Sequence, residues 1–132
     1  MKTNLTSLPK IENPKGNLSV IEGDTIPFKI KRVYYLYDVP SGAERGGHSH
    51  KQQESFIIAV AGSFEVVLNN GTEENVYRLF KPNEGLFVPI NTWRELRNFS
   101  AGAVCLVVSS DEFDEDDYIR DYDEFINYVN KI

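Results

Sequence analysis

His48 and His50 are the only histidines in this chain of 132 residues, and they lie one residue apart in the stretch Arg45-Gly46-Gly47-His48-Ser49-His50. Imidazole has an unperturbed pKa of about 6.5, so it takes up and releases protons near neutral pH. If the stretch is a β-strand, side chains two positions apart project from one face, roughly 6–7 Å apart along the strand. If the strand continues, Glu54 lies on the same face as the two histidines, because it is four positions after His50. The spacing therefore predicts a pair of proton-transferring groups that face one cavity.

The elements that position this pair belong to one domain. A chain of this length fits a single domain, which we expect to span residues 1–132 and to need no disulfide. The single cysteine, Cys105, lies in an apolar run, so we expect a buried thiol. No stretch approaches the roughly 18 apolar residues of a membrane helix, and the first residues lack the apolar segment of a secretory signal. These features predict a cytoplasmic protein that does not cross a membrane.

Charge is unevenly distributed along the chain. The net charge is −6, yet residues 111–124 hold nine acidic residues and one basic residue, Arg120. The remaining residues include 13 basic and 11 acidic ones, so the body of the domain is able to bind an anion while the tail stays solvated. No dense basic stripe is present, which argues against nucleic acid as a partner.

The rest of the chain predicts an all-β fold. Short β-branched and aromatic runs recur at intervals typical of a sandwich or barrel. Asn69-Asn70-Gly71 predicts a hairpin, because Asn-Gly tolerates the positive φ angles of a type I′ turn. Only the tail, at about residues 111–132, shows helical spacing of apolar residues, so we expect one or two short C-terminal helices there. Other strands are predicted at residues 8–12, 18–22, 29–37, 55–60, 63–68, 76–80, 86–88, 92–97 and 103–109.

The histidine stretch resembles the first motif of the cupin superfamily, with His48, His50, Glu54 and Gly62 in its order and spacing. The frame of the second motif is occupied by Gly85, Pro89, Asn91, Arg94 and Asn98. Arg94 stands where metal-binding cupins usually have a histidine ligand, and a guanidinium repels cations and cannot coordinate them. The resemblance implies a cupin-type jelly-roll (double-stranded β-helix) barrel without a metal site.

A narrower resemblance covers almost the whole chain. The sequence resembles the WxcM-like family of dTDP-4-keto-6-deoxyglucose 3,4-ketoisomerases, although it has Trp93-Arg94 where that family commonly has Trp-His. The similar stretches are residues 16–18, 26–35, 45–51, 98–100 and 110–125. The resemblance implies an enzyme without metal or cofactor, and a homodimer that exchanges N-terminal strands. It also implies a role in making deoxysugars for surface polysaccharides.

This resemblance implies that the keto group of a dTDP-linked 4-keto-6-deoxyglucose moves from C4 to C3 through an enediol. His50 would be the base at C3, and His48 would carry a proton at the C4 side. Tyr35 and Tyr37 share a strand face, so their phenols are predicted to donate to the developing oxyanion, the alternative being ordinary aromatic packing.

The remaining candidates are substrate-binding residues. Arg32 and Arg45 flank the predicted cavity in sequence, and the forked donors of arginine suit a diphosphate. Glu54 would orient an imidazole or bind a hydroxyl, or be a solvated or structural carboxylate. Arg94 would contact the ligand, or pair with Glu95 or Glu54. Trp93 would form the pocket wall or part of the core.

Three other functions remain open from the sequence. An epimerase acting on a dTDP-keto sugar would begin with the same proton abstraction but return the carbonyl to C4. A non-catalytic cupin would bind the nucleotide sugar without turnover. A metal-dependent dioxygenase is the weakest, because it requires a ligand that the chain does not supply.

Overall fold

The computed structural model describes residues 3–132, and within them two five-stranded antiparallel sheets form a β-barrel. The first sheet has the order β1-β9-β6-β11-β4 and the second has the order β12-β5-β10-β7-β8. A third, two-stranded sheet pairs β2 with β3. The strands are β1 (Leu5–Ser7), β2 (Lys10–Ile11), β3 (Leu18–Ser19), β4 (Arg32–Leu36), β5 (Arg45–His50), β6 (Ser55–Ala61), β7 (Phe64–Asn69), β8 (Glu74–Leu79), β9 (Glu84–Val88), β10 (Trp93–Arg97), β11 (Val104–Ser109) and β12 (Tyr118–Ile119).

The core lies between the two large sheets. Alternate residues of the strands point inward, and the central strand β6 is apolar on both faces over Phe56, Ile57 and Ile58, because each face is covered. Phe64 and Leu68 of β7 meet this layer from the opposite sheet and are fully buried. The predicted all-β architecture is confirmed.

The hairpin between β7 and β8 forms where the sequence predicts it, but its turn differs. Gly71 has a φ of 98°, whereas Asn70 is not among the residues with positive φ, so the turn is not type I′. Instead, Asn70 Oδ1 accepts hydrogen bonds from the backbone N–H groups of Thr72 and Glu73, 3.0 Å away in each case. This side-chain capping widens the loop to residues 70–73.

The N-terminal region also differs from the prediction. The strands expected at residues 8–12 and 18–22 shorten to β2 and β3, and the sequence analysis missed β1. This strand pairs with β9 of the same chain, with Leu5 opposite Leu86 and Ser7 opposite Glu84.

The acidic tail is folded onto the barrel and is not simply a solvated helix. Residues 115–117 form a 3₁₀ helix, β12 pairs with β5, and the helix α1 (Tyr122–Val129) follows. The side chains of Asp114 and Asp121 cap the two helices by accepting backbone N–H hydrogen bonds. Phe125 of α1 is fully buried. In residues 3–132 no helix has the length and apolarity needed to span a lipid bilayer.

Candidate active site

The histidine pair lies on β5, between β10 and β12. His48 is opposite Arg94 of β10, and His50 is opposite Tyr118 of β12, so all these side chains share one face of the sheet. The imidazole centroids are 4.9 Å apart, with an angle of 86° between the ring planes. The structure thus brings together the two groups that the sequence singled out.

A bulge in β5 precedes the pair. On β10 one residue lies between the partners of His48 and Arg45, whereas on β5 two residues, Gly46 and Gly47, lie between His48 and Arg45 themselves. The extra residue is accommodated at Gly46-Gly47, where Gly46 has a φ of 78°, a backbone conformation that residues other than glycine rarely adopt. Such bulges bend a strand and redirect the side chains that follow. The glycines before His48 therefore set the direction in which β5 presents its imidazoles.

Tyr118 packs against both imidazoles. Its ring centroid lies 4.3 Å from that of His50 and 4.9 Å from that of His48. Its hydroxyl accepts a hydrogen bond of 3.1 Å from Nη1 of Arg32, and the guanidinium of Arg120 lies 4.2 Å above its ring centroid. Tyr118 therefore connects the histidines to the arginines around them.

Both imidazoles are neutral at physiological pH. Burial is the main cause that lowers the pKa of His48 to about 3 and that of His50 to about 2, and the positive charge of Arg94 lowers both further. The Nε2 atoms of both rings are buried without a hydrogen-bond partner among the described residues. A neutral imidazole with an unpartnered nitrogen is equipped to accept or donate a proton.

Among residues 3–132, the side chain of His50 makes one polar contact, with Asp117. Its Nδ1 lies 3.0 Å from Asp117 Oδ2. Because the pKa of His50 is lowered, this contact joins a neutral ring to a carboxylate, and it is a hydrogen bond rather than an ion pair.

A cavity of about 390 Å³ opens beside His48, whereas His50 is 0% exposed and does not line it. His48 and Tyr118 form part of its wall, together with Tyr34 and Phe113. Arginines also line it: Arg45 and Arg120 are exposed, Arg32 is half-buried and Arg94 is buried. Arg120 is held by both carboxylate oxygens of Glu115, at 2.7 and 2.9 Å. A larger groove of about 720 Å³ lies beside β2 and β3, but neither a histidine nor a buried charge lines it.

Arg94 carries a buried charge that forms no salt bridge with a carboxylate in the part of the chain that the structure describes. It is 2% exposed, and Nη1 donates a 3.0 Å hydrogen bond to Ser55 Oγ. Its Nε and Nη2 atoms have no partner among residues 3–132. Burial lowers the pKa of Arg94, yet a guanidinium stays protonated in proteins. These unsatisfied donors beside the cavity are suited to an anionic or oxygen-rich ligand.

Arg94 also stands against a metal at this site. A fixed positive charge opposite His48 repels cations, and the described residues contain no cluster of three or more His, Cys, Asp or Glu side chains able to hold an ion. The donor set at the cavity therefore does not fit a metal.

Several predicted site residues lie elsewhere. Tyr35 and Tyr37 are 59% and 62% exposed and pack on each other outside the barrel, because inward positions of β4 are Arg32, Tyr34 and Leu36. The structure does not bring these two phenols to the cavity. The inward tyrosine of the strand is Tyr34, whose pKa burial raises, so its hydroxyl remains a donor.

Glu54 and Trp93 also lie away from the cavity wall. β5 ends at His50, so Glu54 is not on the histidine strand, and its backbone N–H donates to Ser110 Oγ. Trp93 is buried, donates from Nε1 to Glu95 Oε2 and packs against Phe125. It anchors α1 and lines no part of the cavity. The alternative of a core residue describes Trp93.

Five residues of the site are not predicted from the sequence. Tyr34 follows from strict alternation starting at Arg32, which the choice of Tyr35 overlooks. The other four, Phe113, Asp117, Tyr118 and Arg120, lie in the acidic tail, and no local pattern indicates that this tail pairs with β5. Tyr118 and Arg120 stand out in the sequence only as an aromatic residue and a cation within an acidic segment.

Comparison with known proteins supports this architecture. The family model described as FdtA, WxcM-like, C-terminal, matches residues 1–130. The chain belongs to this family. A curated relative, TDP-4-oxo-6-deoxy-alpha-D-glucose-3,4-oxoisomerase of Aneurinibacillus thermoaerophilus, is 40% identical over 133 residues, covering 100% of this chain and 96% of the relative.

Solved structures of similar proteins agree. A 3,4-ketoisomerase from Helicobacter canadensis is 45% identical, with a TM-score of 0.95 and 98% of each chain covered. The sugar 3,4-ketoisomerase QdtA of Thermoanaerobacterium thermosaccharolyticum, in complex with TDP, is 40% identical with a TM-score of 0.94, covering 98% of this chain and 95% of the other. A histidine-to-asparagine variant of QdtA, in complex with TDP-4-keto-6-deoxyglucose, is 39% identical, with a TM-score of 0.94 and coverage of 98% and 94%. The predicted family, the cupin-type barrel and an isomerase activity are thereby confirmed.

Proposed function

We propose that this protein moves the keto group of TDP-4-keto-6-deoxyglucose from C4 to C3 by proton transfer between neutral histidines. The observation that carries the proposal is the pair of buried imidazoles, each with an unpartnered Nε2, beside a cavity lined by arginines. The activities named for the relatives and the TDP-sugar complex of QdtA support this assignment.

The charges around the cavity suit a nucleotide sugar. Arg45 and Arg120 are exposed at the cavity, where their guanidinium groups suit the diphosphate. Arg32 lies further in, with its guanidinium 4.4 Å from the ring centroid of Tyr34. The hexose then lies against His48, Tyr118 and Arg94.

The reaction requires one proton to be removed and another to be added. His48, which lines the cavity, takes the C3 proton, which the C4 ketone acidifies, and the C3–H electron pair forms the double bond of an enediolate. The C3 hydroxyl proton then passes to the C4 oxygen, the proton held by the histidine pair is delivered to C4 and the C3 carbonyl forms, so that both imidazoles end neutral. The resemblance implies His50 as the base, but the role falls to His48 because His50 does not line the cavity; His50, whose ring centroid is 4.9 Å from that of His48, exchanges protons with it. Arg94 and Tyr34 stabilise the oxyanion, because buried donors aimed at developing charge act strongly in a dry site.

Product analysis by NMR tests this function. Incubation with TDP-4-keto-6-deoxyglucose in heavy water is expected to give the 3-keto isomer, with deuterium at C4. An epimerised product that keeps its carbonyl at C4 would support a keto-sugar epimerase. Binding of TDP without deuterium incorporation or product would support a non-catalytic binding protein. Either result would overturn the proposal.

Variants separate the roles of the two histidines. His48→Asn is expected to abolish exchange at C3 and turnover together. His50→Asn is expected to retain exchange at C3 while turnover falls, because the first proton transfer remains. Retention of full activity by His48→Asn would contradict its role as the base.

We also propose that the protein is a cytoplasmic homodimer that exchanges N-terminal strands and supplies keto sugars for polysaccharide deoxysugars. The exposed apolar positions Val33 and Tyr35 on β4, with Tyr37 just after it, support an association between copies. The buried free thiol of Cys105 suits a reducing compartment. Sedimentation at micromolar concentration is expected to give the dimer mass, and a monomer mass would refute the association.

A further inference from the structure

Tyr118 brings a phenol hydroxyl to the wall of the cavity beside His48. The two ring centroids are 4.9 Å apart, and both residues line the cavity. Tyr118 is half-buried, so part of its side chain remains accessible to a ligand. A hexose that contacts His48 in the cavity therefore also lies beside this phenol.

Arg32 fixes the position of the hydroxyl. Its Nη1 donates a 3.1 Å hydrogen bond to Oη of Tyr118. Its guanidinium lies 4.4 Å from the ring centroid of Tyr34 and 5.3 Å from that of Phe113, so two further aromatic rings hold the planar group. Within residues 3–132, Arg32 forms no salt bridge with a carboxylate. The phenol oxygen is thus the acceptor that the described residues supply to this guanidinium.

The bond from Arg32 determines which hydrogen-bonding capacity the phenol has left. A guanidinium only donates, so it occupies a lone pair of the phenol oxygen and leaves the hydroxyl hydrogen to find another acceptor. Among the described residues, no group accepts a hydrogen bond from this hydroxyl. A hydroxyl that accepts a hydrogen bond from a cation is polarised and becomes a better donor. Tyr118 therefore offers a strengthened donor at the cavity.

We propose that Tyr118 is a substrate-binding residue whose hydroxyl donates a hydrogen bond to the hexose oxygen at C3 or C4. This end of the sugar follows from the packing of Tyr118 on His48, the residue that takes the C3 proton in the proposed reaction. The inference rests on the proposed function for the placement of the sugar ring, but the contact itself requires no turnover.

Two ligands separate a contact with the sugar from a contact with the nucleotide. TDP lacks the hexose, whereas TDP-glucose has hydroxyl groups at C3 and C4 and cannot be isomerised, because it has no ketone. In calorimetric titrations, Tyr118→Phe is expected to weaken the binding of TDP-glucose about fivefold, the scale of one hydrogen bond, and to leave the binding of TDP unchanged. Equal weakening of both ligands would mean that the phenol acts on the nucleotide, directly or through Arg32, and would overturn the inference.

Tyr122→Phe is the matched control. Oη of Tyr122 accepts a 2.9 Å hydrogen bond from Nδ2 of Asn69, so this variant also removes, from the same tail, a hydroxyl that accepts from one side-chain donor. Tyr122 does not line the cavity, and we expect wild-type affinity for both ligands. The inference would fail if Tyr118→Phe bound TDP-glucose as tightly as Tyr122→Phe does.

Deoxy analogues identify the oxygen that Tyr118 contacts. TDP-3-deoxyglucose and TDP-4-deoxyglucose each lack one of the two acceptors. With the analogue that lacks the contacted hydroxyl, the wild-type protein and Tyr118→Phe are expected to bind equally, while the other analogue keeps the difference of about fivefold. A difference that persists with both analogues would contradict the contact. If Tyr118→Phe fails to fold, the wild-type protein still decides, because it must bind one analogue more weakly than TDP-glucose.

These measurements distinguish the inference from the proposed function. A wild-type protein that binds TDP-glucose through Tyr118, but does not convert TDP-4-keto-6-deoxyglucose, would support the contact and remove the isomerase proposal alone. A protein that isomerises the keto sugar, while Tyr118→Phe and Tyr122→Phe have the same affinity for TDP-glucose, would remove the inference alone.

Discussion

Lowering the pH from 7 to 5 is expected to destabilise the protein because of its two buried histidines. In the unfolded chain both imidazoles have a pKa of about 6.5. In the folded protein, burial and then the charge of Arg94 hold the pKa of His48 at about 3 and that of His50 at about 2. Below pH 6.5 the unfolded state therefore binds protons that the native state excludes, so stability falls as the pH decreases toward 3.

The magnitude follows from the difference between the pH and the unfolded pKa. At pH 5 this difference is about 1.5 units, and each unit corresponds to about 1.4 kcal/mol, which gives about 2 kcal/mol per histidine. The two side chains are 8% and 0% exposed, so water screens them little. The pair therefore costs about 4 kcal/mol, a large part of a typical stability of about 5–15 kcal/mol.

Urea unfolding at pH 7, 6 and 5 measures this loss. The comparison is between the wild-type protein and the double variant His48→Asn/His50→Asn, because the carboxylates titrate in both. We expect the wild-type protein to lose about 4 kcal/mol more than the variant between pH 7 and pH 5. Equal losses would show that the native imidazoles are not held neutral, and the reasoning would be refuted.

Three further predictions concern buried positions. Arg94→Met is expected to raise the free energy of unfolding by about 1–3 kcal/mol by removing an uncompensated buried charge, while kcat/KM falls at least about 100-fold; chemical denaturation and product assays measure both. Gly85→Ala is expected to lower the free energy of unfolding by about 2–3 kcal/mol, because the added Cβ would lie 2.1 Å from Cε2 of buried Phe56. Gly47→Ala is the control, since the atom nearest to its added Cβ is 3.7 Å away. If urea unfolding gave similar midpoints for the two variants, the packing argument would be contradicted. Burial raises the pKa of the Cys105 thiol to about 12, so iodoacetamide at pH 8 should alkylate the denatured protein and spare the native one, as mass spectrometry would show.

The alternation of side chains along a β-strand explains both why the histidine pair was predictable and why Tyr35 and Tyr37 were assigned to the wrong face. Period two puts His48 and His50 on one face, and the structure has their rings 4.9 Å apart. The same rule separates Arg32 from Tyr35, since residues three apart in a regular strand face opposite sides. Arg32 and Tyr35 were both predicted to reach the cavity, but in a regular β4 their side chains point to opposite faces of the sheet. Strict alternation from Arg32 selects Tyr34.

The contribution of the tail was not predictable from local patterns. Its acidic residues are typical of a solvated helix, and two of them do cap helices. However, Ile119 is buried and Tyr118 pairs opposite His50, contacts that join residues far apart in the chain. Composition averaged over the segment concealed a two-residue strand within it, because so short a strand has no periodicity of its own.

Arg94 connects the electrostatics of the site with its proposed chemistry. A cation bound by the histidines would occupy their lone pairs and prevent them from transferring protons. A guanidinium fixed on the neighbouring strand, opposite His48, supplies positive charge without using an imidazole nitrogen. That charge adds to the effect of burial in keeping both imidazoles neutral, and in the proposed reaction it stabilises the negative charge of the enediolate as the base removes the proton. The burial of an unpaired arginine reduces stability, and in the proposed reaction this cost is offset only when an oxyanion forms beside it.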